Sequence, residues 1–149
     1  MAIARGAGTE IIRTTHMRVV DSTVSKLIIG VQHHIYTVLS IIVHADTLQA
    51  AGNYVKCSLI AYGAKEGNTQ DHIDIFKQDM QADQTFVWND KFSFNGYEPV
   101  DFVGPMDDAT KQDAIADQGG SVSQYLQILS EHADDDIDVI CTFIDQNNA

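Results

Sequence analysis

Gln84 to Gly96 limits what this chain can fold into more than any other stretch. Its apolar side chains, Phe86, Trp88, Phe92 and Phe94, stand two residues apart within each half of the segment. That spacing places them on one face of a pleated strand. Asn89-Asp90 interrupts the run in its middle, and Asn95-Gly96 ends it with a dipeptide suited to positive φ. The segment is sheet with an aromatic face, and it holds no nucleophile beside a base.

The rest of the chain repeats the pattern. Ile11–Thr14 and His16–Val20 read as short extended pieces, and Ser25–Ile29 as a strand stopped by Gly30. In the long run from His33 to Ala45 one face carries Tyr36, Val38, Ser40, Ile42 and His44. The other carries Ile35, Thr37, Leu39, Ile41 and Val43 and is the more apolar, so it is expected to face the core. Tyr54–Tyr62 sets Val55, Cys57, Leu59 and Ala61 against Tyr54, Lys56, Ser58, Ile60 and Tyr62. Strands follow at His72–Gln78, Ser123–Leu129 and Ile137–Ile144. Tyr97–Pro105, with two prolines, reads as a loop. Asp107–Asp117 is the one convincing helix, capped by Asp107 or Asp108 and stopped by Gly119-Gly120. Seven or eight short strands with turns between them predict a mainly β protein. The expected architecture is an antiparallel β-sandwich of jelly-roll type, residues 11–149 forming one domain with a helical insertion at about 105–118. Residues 1–10, rich in Gly and Ala, are expected to be a flexible N-terminal arm.

At 149 residues the chain can bury a core without staples. No run approaches the roughly 18–20 apolar residues of a membrane span, and the N-terminus has no stretch of signal-peptide length. Cys57 and Cys141 occupy apolar-phase strand positions and read as buried free thiols rather than a disulfide or a metal pair. The net charge of −12 is uneven. Residues 1–70 carry six Lys/Arg against four Asp/Glu, whereas residues 71–149 carry three against seventeen. The second half would repel phosphates, which argues against sequence-independent nucleic-acid binding there. The milder N-terminal half is expected to dock on a surface while the acidic half faces solvent.

Adjacent His33 and His34 point to opposite faces of a strand and cannot easily share a metal, even with His44 or His72 nearby. They read as a structural or interface pair. Asp134, Asp136, Asp138 and Asp145 stand at positions 1, 3, 5 and 12 of a calcium-loop spacing. Val139 replaces the glycine required at position 6, and strand formers follow, so a solvated hairpin turn is the better reading. No G-x-S-x-G, no Gly-rich phosphate loop and no helix-N-terminal cysteine occurs. The expectation is a protein that is not an enzyme and needs no cofactor or metal. Tyr36, Tyr54, Tyr62 and Tyr125 lie on mixed faces and are the candidate interface aromatics.

The order His33-His-Ile-Tyr-Thr-Val-Leu-Ser-Ile, Val55-Lys-Cys-Ser-Leu-Ile-Ala-Tyr62, Asp83-Gln-Thr-Phe-Val-Trp-Asn-Asp-Lys91 and a closing Ile144-Asp-Gln-Asn-Asn148 resembles a known family. From about residue 25 onward it is similar to the small β-sandwich virion proteins of tailed bacteriophages, particularly those of marine cyanophages. The resemblance rests on layout, with no catalytic signature. It implies a capsid decoration (cement) protein that binds the major capsid protein on the shell exterior, assembled in the host cytoplasm. It also implies a homo-oligomer, often about a threefold axis, with no nucleic-acid or membrane partner. The capsid-gripping residues expected on this reading are Arg5, Arg13 and Arg18. The alternative is a neck, baseplate or fibre-associated tail protein that binds other tail parts or a host glycan.

Overall fold

The computed structural model describes residues 9–64, 69–99, 107–116 and 121–148. In chain order the elements are β1 (Thr9–Val20), β2 (Ser25–Ile29), β3 (His34–Thr47), β4 (Tyr54–Tyr62), β5 (Gln70–Asp79), β6 (Thr85–Trp88), β7 (Phe92–Asn95) and β8 (Tyr97–Pro99). Then come α1 (Ala109–Ala116), β9 (Ser121–Ser123), β10 (Tyr125–Ser130) and β11 (Asp136–Asn147). Sheet A runs β1-β11-β3-β6, with β7 also paired to β3, and sheet B runs β2-β10-β4-β5. All these pairings are antiparallel, and β8 and β9 form a small ribbon. The chain alternates between the sheets through β1 to β4 and crosses again from β5 to β6 and from β10 to β11, and the last strand lies beside the first. This is the jelly-roll sandwich.

The aromatic segment becomes two collinear strands. Thr85–Trp88 pairs with His44–Ile41 and Phe92–Asn95 with Val38–Ile35, so Asn89-Asp90-Lys91 is a break in one edge strand rather than a hairpin turn. Its rings enter the space between the sheets. Trp88 meets Phe92 with ring centroids 5.4 Å apart, Phe94 meets Tyr36 at 5.3 Å, and Phe86 meets Phe76 of sheet B at 5.1 Å. Edge-to-face and tilted pairs at these distances add to the burial of their area.

On β3 the expected inward face holds for only half the strand. Thr142 pairs with Ser40 but Phe143 with Val38, which leaves Leu39 as an extra residue. This bulge switches the side-chain phase. Tyr36 and Val38 are buried on one side of it and Ile41, Val43 and Ala45 on the other, while Ile35 and Ile42 are exposed. The expectation that Ile35 and Leu39 face inward and Tyr36 and Val38 outward is therefore corrected. An alternating pattern cannot show where one residue is skipped.

Other boundaries moved modestly. The two extended pieces near the N-terminus are one twelve-residue strand, and Thr9 and Glu10, assigned to the arm, begin it opposite Asn147 and Gln146. Residues 1–8, including Arg5, lie outside the described residues. Tyr97–Pro99, read as loop, pairs with Ser121–Ser123. The helix spans Ala109–Ala116, and the Asp108 side chain accepts from the Lys111 N–H at 2.8 Å as its cap.

The division into a mild N-terminal and an acidic C-terminal half does not survive folding. Strand β11, with Asp136, Asp138 and Asp145, lies between β1 and β3, so the two halves of the chain interleave within one sheet.

Candidate interaction surface

The four candidate tyrosines separate into two groups. Tyr36 is 2% exposed, its hydroxyl accepts from the Val31 N–H at 3.0 Å, and burial pushes its pKa upward. It is a core residue, and its candidacy as an interface aromatic is corrected: the Leu39 bulge turns it inward. Tyr54, Tyr62 and Tyr125 are half-buried. Register and alternation put all three on the outer face of sheet B, where Tyr125 pairs with Ile60, two positions from Tyr62. Lys26 lies over the Tyr125 ring at 4.2 Å and Lys77 over the Tyr54 ring at 4.3 Å. Such cation–π contacts at exposed sites contribute about 0.5–1 kcal/mol. Beside Tyr125 is a polar depression of about 240 Å³ lined by Ile60, Gln70, Asp71, His72 and Gln127.

Arg13 and Arg18 sit on β1, at the opposite edge of sheet A. Arg13 bonds Asp145 at 3.1 Å, and Arg18 lies 3.9 Å from Asp138. The His34 Nδ1 meets the other oxygen of Asp145 at 2.5 Å. Asp145 is 5% exposed, and the Arg13 guanidinium and the His34 ring nitrogen answer the cost of burying its carboxylate. This cluster borders a shallow concavity of about 160 Å³ lined by Thr9, Ile11, His34, Asp145 and Asn147.

The calcium-loop spacing is taken apart by the fold. Asp145 is at the far end of β11, held by Arg13 and His34, while Asp136 and Asp138 stand at its start. A different trio forms: donor atoms of Asp46, Asp136 and Asp138 lie within 4.8 Å of one another. Asp46 reaches them because it is the extra residue of a second bulge, between the pairs Asp136–Thr47 and Ile137–Ala45. A hydrogen bond with Asp138 holds the Asp46 carboxyl above its usual range, and the like charges act in the same sense.

Cys57 and Cys141 are buried free thiols on the inner faces of opposite sheets. Burial pushes Cys141 up to about 12 and Cys57 higher still, so neither is a thiolate nucleophile at neutral pH.

Sequence reasoning missed two buried polar residues that tie off the ends of the sandwich. The Gln124 side chain donates to the carbonyl and side-chain oxygens of Asn95, both at 2.8 Å, and accepts from the Tyr62 N–H at 2.8 Å. Asp135 accepts from Ser130 at 2.5 Å and from the backbone N–H groups of Gln49 and His132 at 2.8 and 3.0 Å. In sequence Asp135 is one of three consecutive aspartates, and nothing local marks the middle one as buried.

No family model and no curated protein matches this chain. Among solved structures it is similar to a chain from Bacillus endospore appendages, which form a family of disulfide-linked pili. That match has 11% identity and a TM-score of 0.43, and covers 100% of this chain and 97% of the other. It is also similar to a chain of the infectious bursal disease virus Gx strain, at 6% identity and a TM-score of 0.48 over 99% of this chain. A chain of T=1 particles derived from that virus matches at 6% identity with a TM-score of 0.40, again over 99%. This chain spans only 35% and 38% of those two viral chains. The likeness concerns the fold alone.

Proposed function

We propose that this chain is a virion structural protein, a decoration protein of tailed-phage type that binds the major capsid protein on the outside of the shell. The observation that carries the reading is that Tyr54 and Tyr62, at the two ends of β4, and Tyr125 of β10, beside Tyr62, share the outer face of one sheet. Tyrosines offer large contact area with few rotors to immobilise, which suits them to adhesion. A non-enzymatic role is supported by the burial of both thiols, which raises their pKa values and keeps them from acting as thiolates. On this reading the shell contact is made by the outer face of sheet B. Arg13 and Arg18 lie at another edge and serve a different contact.

The alternative, a tail component that binds a host glycan, has weaker support. A sugar would stack on an open aromatic face, and the Tyr54 and Tyr125 rings are already covered by Lys77 and Lys26.

The test is quantitative gel analysis of purified particles carrying the wild-type chain or the triple substitution Tyr54→Ser, Tyr62→Ser, Tyr125→Ser. Hundreds of copies per particle, lost in a variant that keeps its circular dichroism, are expected. A copy number of three, six or a small multiple, confined to one vertex, would move the protein to the tail, and unchanged occupancy of the variant would reject the tyrosine face.

A further inference from the structure

Among the described residues, two long strands have a sheet neighbour on one side only. Strand β1 pairs only with β11, and its register is continuous for nine residues, Thr9 to Met17, before a bulge. Strand β5 pairs only with β4, nine of its ten residues finding partners and Ile75 skipped at a bulge. The other two edges are short: β2 has five residues, and the β6–β7 edge is broken at Asn89–Lys91. Natural sheets blunt their edges with short strands, prolines or breaks, because an open edge is a template for another strand. Strands β1 and β5 contain no proline.

The two open edges lie on opposite sides of the sandwich. On one side β1 neighbours β2, with the Thr15 hydroxyl donating to the Leu27 carbonyl at 2.8 Å. On the other β5 lies over β6 through the Phe76–Phe86 contact. The same two strands hold the three most exposed large apolar side chains among the described residues: Ile12 at 72%, Val19 at 63% and Ile73 at 63%. Beside the β5 edge is a concavity of about 290 Å³ lined by Leu59, Ala61, Asp71, His72 and Ile73. The charges are complementary as well. Strand β1 carries Arg13 and Arg18, which face Asp145 and Asp138 of β11, against Glu10, and β5 carries Asp71, Asp74 and Asp79 against Lys77.

We propose that β1 of one copy of this chain pairs edge to edge with β5 of a second copy, with Ile12 set against the Leu59–Ala61–Ile73 concavity. Backbone hydrogen bonds continue the sheet across the junction, and the opposite charges choose β5 over a second β1, where Arg13 and Arg18 would meet their own kind. The contact is heterologous, because each copy contributes a different patch. Repetition therefore builds a ring or an open chain of copies according to the rotation between neighbours. Edge pairing consumes backbone at the rim and leaves the outer face of sheet B free. The proposal does not rest on the capsid reading: lost particle binding with self-association intact faults only that reading, and the reverse faults only this one.

The test uses the full chain in sedimentation velocity over a hundredfold concentration range at low salt, with Ile12→Lys on β1 and Ile73→Lys on β5. Both side chains are mostly exposed, and circular dichroism checks that each variant is folded. Wild type is expected to grow in mass with concentration and to dissociate as salt is raised, while each variant alone stays a monomer. An equimolar mixture is expected to recover a dimer and to stop there, because each variant retains one intact edge and the two edges are complementary. A wild-type monomer throughout, a variant that assembles like wild type, or a mixture that remains monomeric would each overturn the proposal.

Discussion

At position 135 the chain buries a carboxylate at 2% exposure and surrounds it with donors. Burial alone would raise its pKa, but hydrogen bonds from Ser130, the Gln49 N–H, Asn53 and the His132 N–H outweigh it and hold the carboxyl below its ordinary value. A group whose folded pKa is depressed contributes stability that is present above the unfolded value and lost as pH falls through the folded one. Asp135→Asn is therefore expected to destabilise the protein at pH 7 by about 2 kcal/mol, the scale of hydrogen bonds to a charged group. That deficit should shrink below about pH 4, where the unfolded carboxyl begins to bind its proton. Urea unfolding followed across pH checks both. Backbone proximity makes a second prediction at this scale. A Cβ at Gly96 would sit 2.1 Å from the Val31 carbonyl oxygen, whereas one at Gly52, where φ is +89°, meets nothing within 4 Å. Gly96→Ala should cost about 3 kcal/mol or more, at the high end for single substitutions. Gly52→Ala should cost about 1–2 kcal/mol, the strain of a left-handed backbone alone. Equal thermal shifts for the two would contradict the close approach at Gly96.

Within elements, strand β3 shows most clearly what alternation can and cannot announce. Its long apolar run identifies it as a central strand, and it is indeed flanked by β11 and by β6 and β7. The alternating pattern puts Ile41 and Val43 inward, as found, but inverts Tyr36 and Val38, because Leu39 is skipped in the pairing. Only the partner strand can reveal that skip. Deleting Leu39 makes Val38 and Ser40 consecutive opposite Phe143 and Thr142, which restores plain alternation and leaves Tyr36, Val38, Ile41 and Val43 all facing inward. The deletion variant is therefore expected to keep cooperative thermal unfolding, and loss of the cooperative transition would contradict the reading of Leu39 as a skipped residue. The aromatic segment behaves similarly. Its period-2 spacing marks the faces correctly, yet the same residues form a broken edge strand, since the Asn89–Lys91 interruption falls between two stretches that both find β3.

Across the whole molecule, nearly every pairing joins distant parts of the chain. Thr9 meets Asn147 and Tyr125 meets both Ile29 and Ile60. Folding must close these loops before the contacts reward it, so refolding is expected on the millisecond-to-second scale typical of sandwiches, measurable by stopped-flow Trp88 fluorescence. A fragment of residues 1–70 lacks both β10 and β11, the strands that join β1 to β3 and β2 to β4. It should show no cooperative melting by circular dichroism, and a folded fragment would contradict the interleaved topology.

The strand-rich sandwich, the single short helix and the buried thiols could be read from sequence alone, because burial on one face of a strand imposes a local period on side-chain polarity. Placement of Tyr36 in the core, the gathering of Asp46 with Asp136 and Asp138, the arrival of Tyr125 on the face of Tyr54 and Tyr62 and the two opposed open edges depended on tertiary structure. Each is set by which strands become neighbours and where a residue is skipped between them. Register of that sort is a relation between distant segments, and no local pattern encodes it.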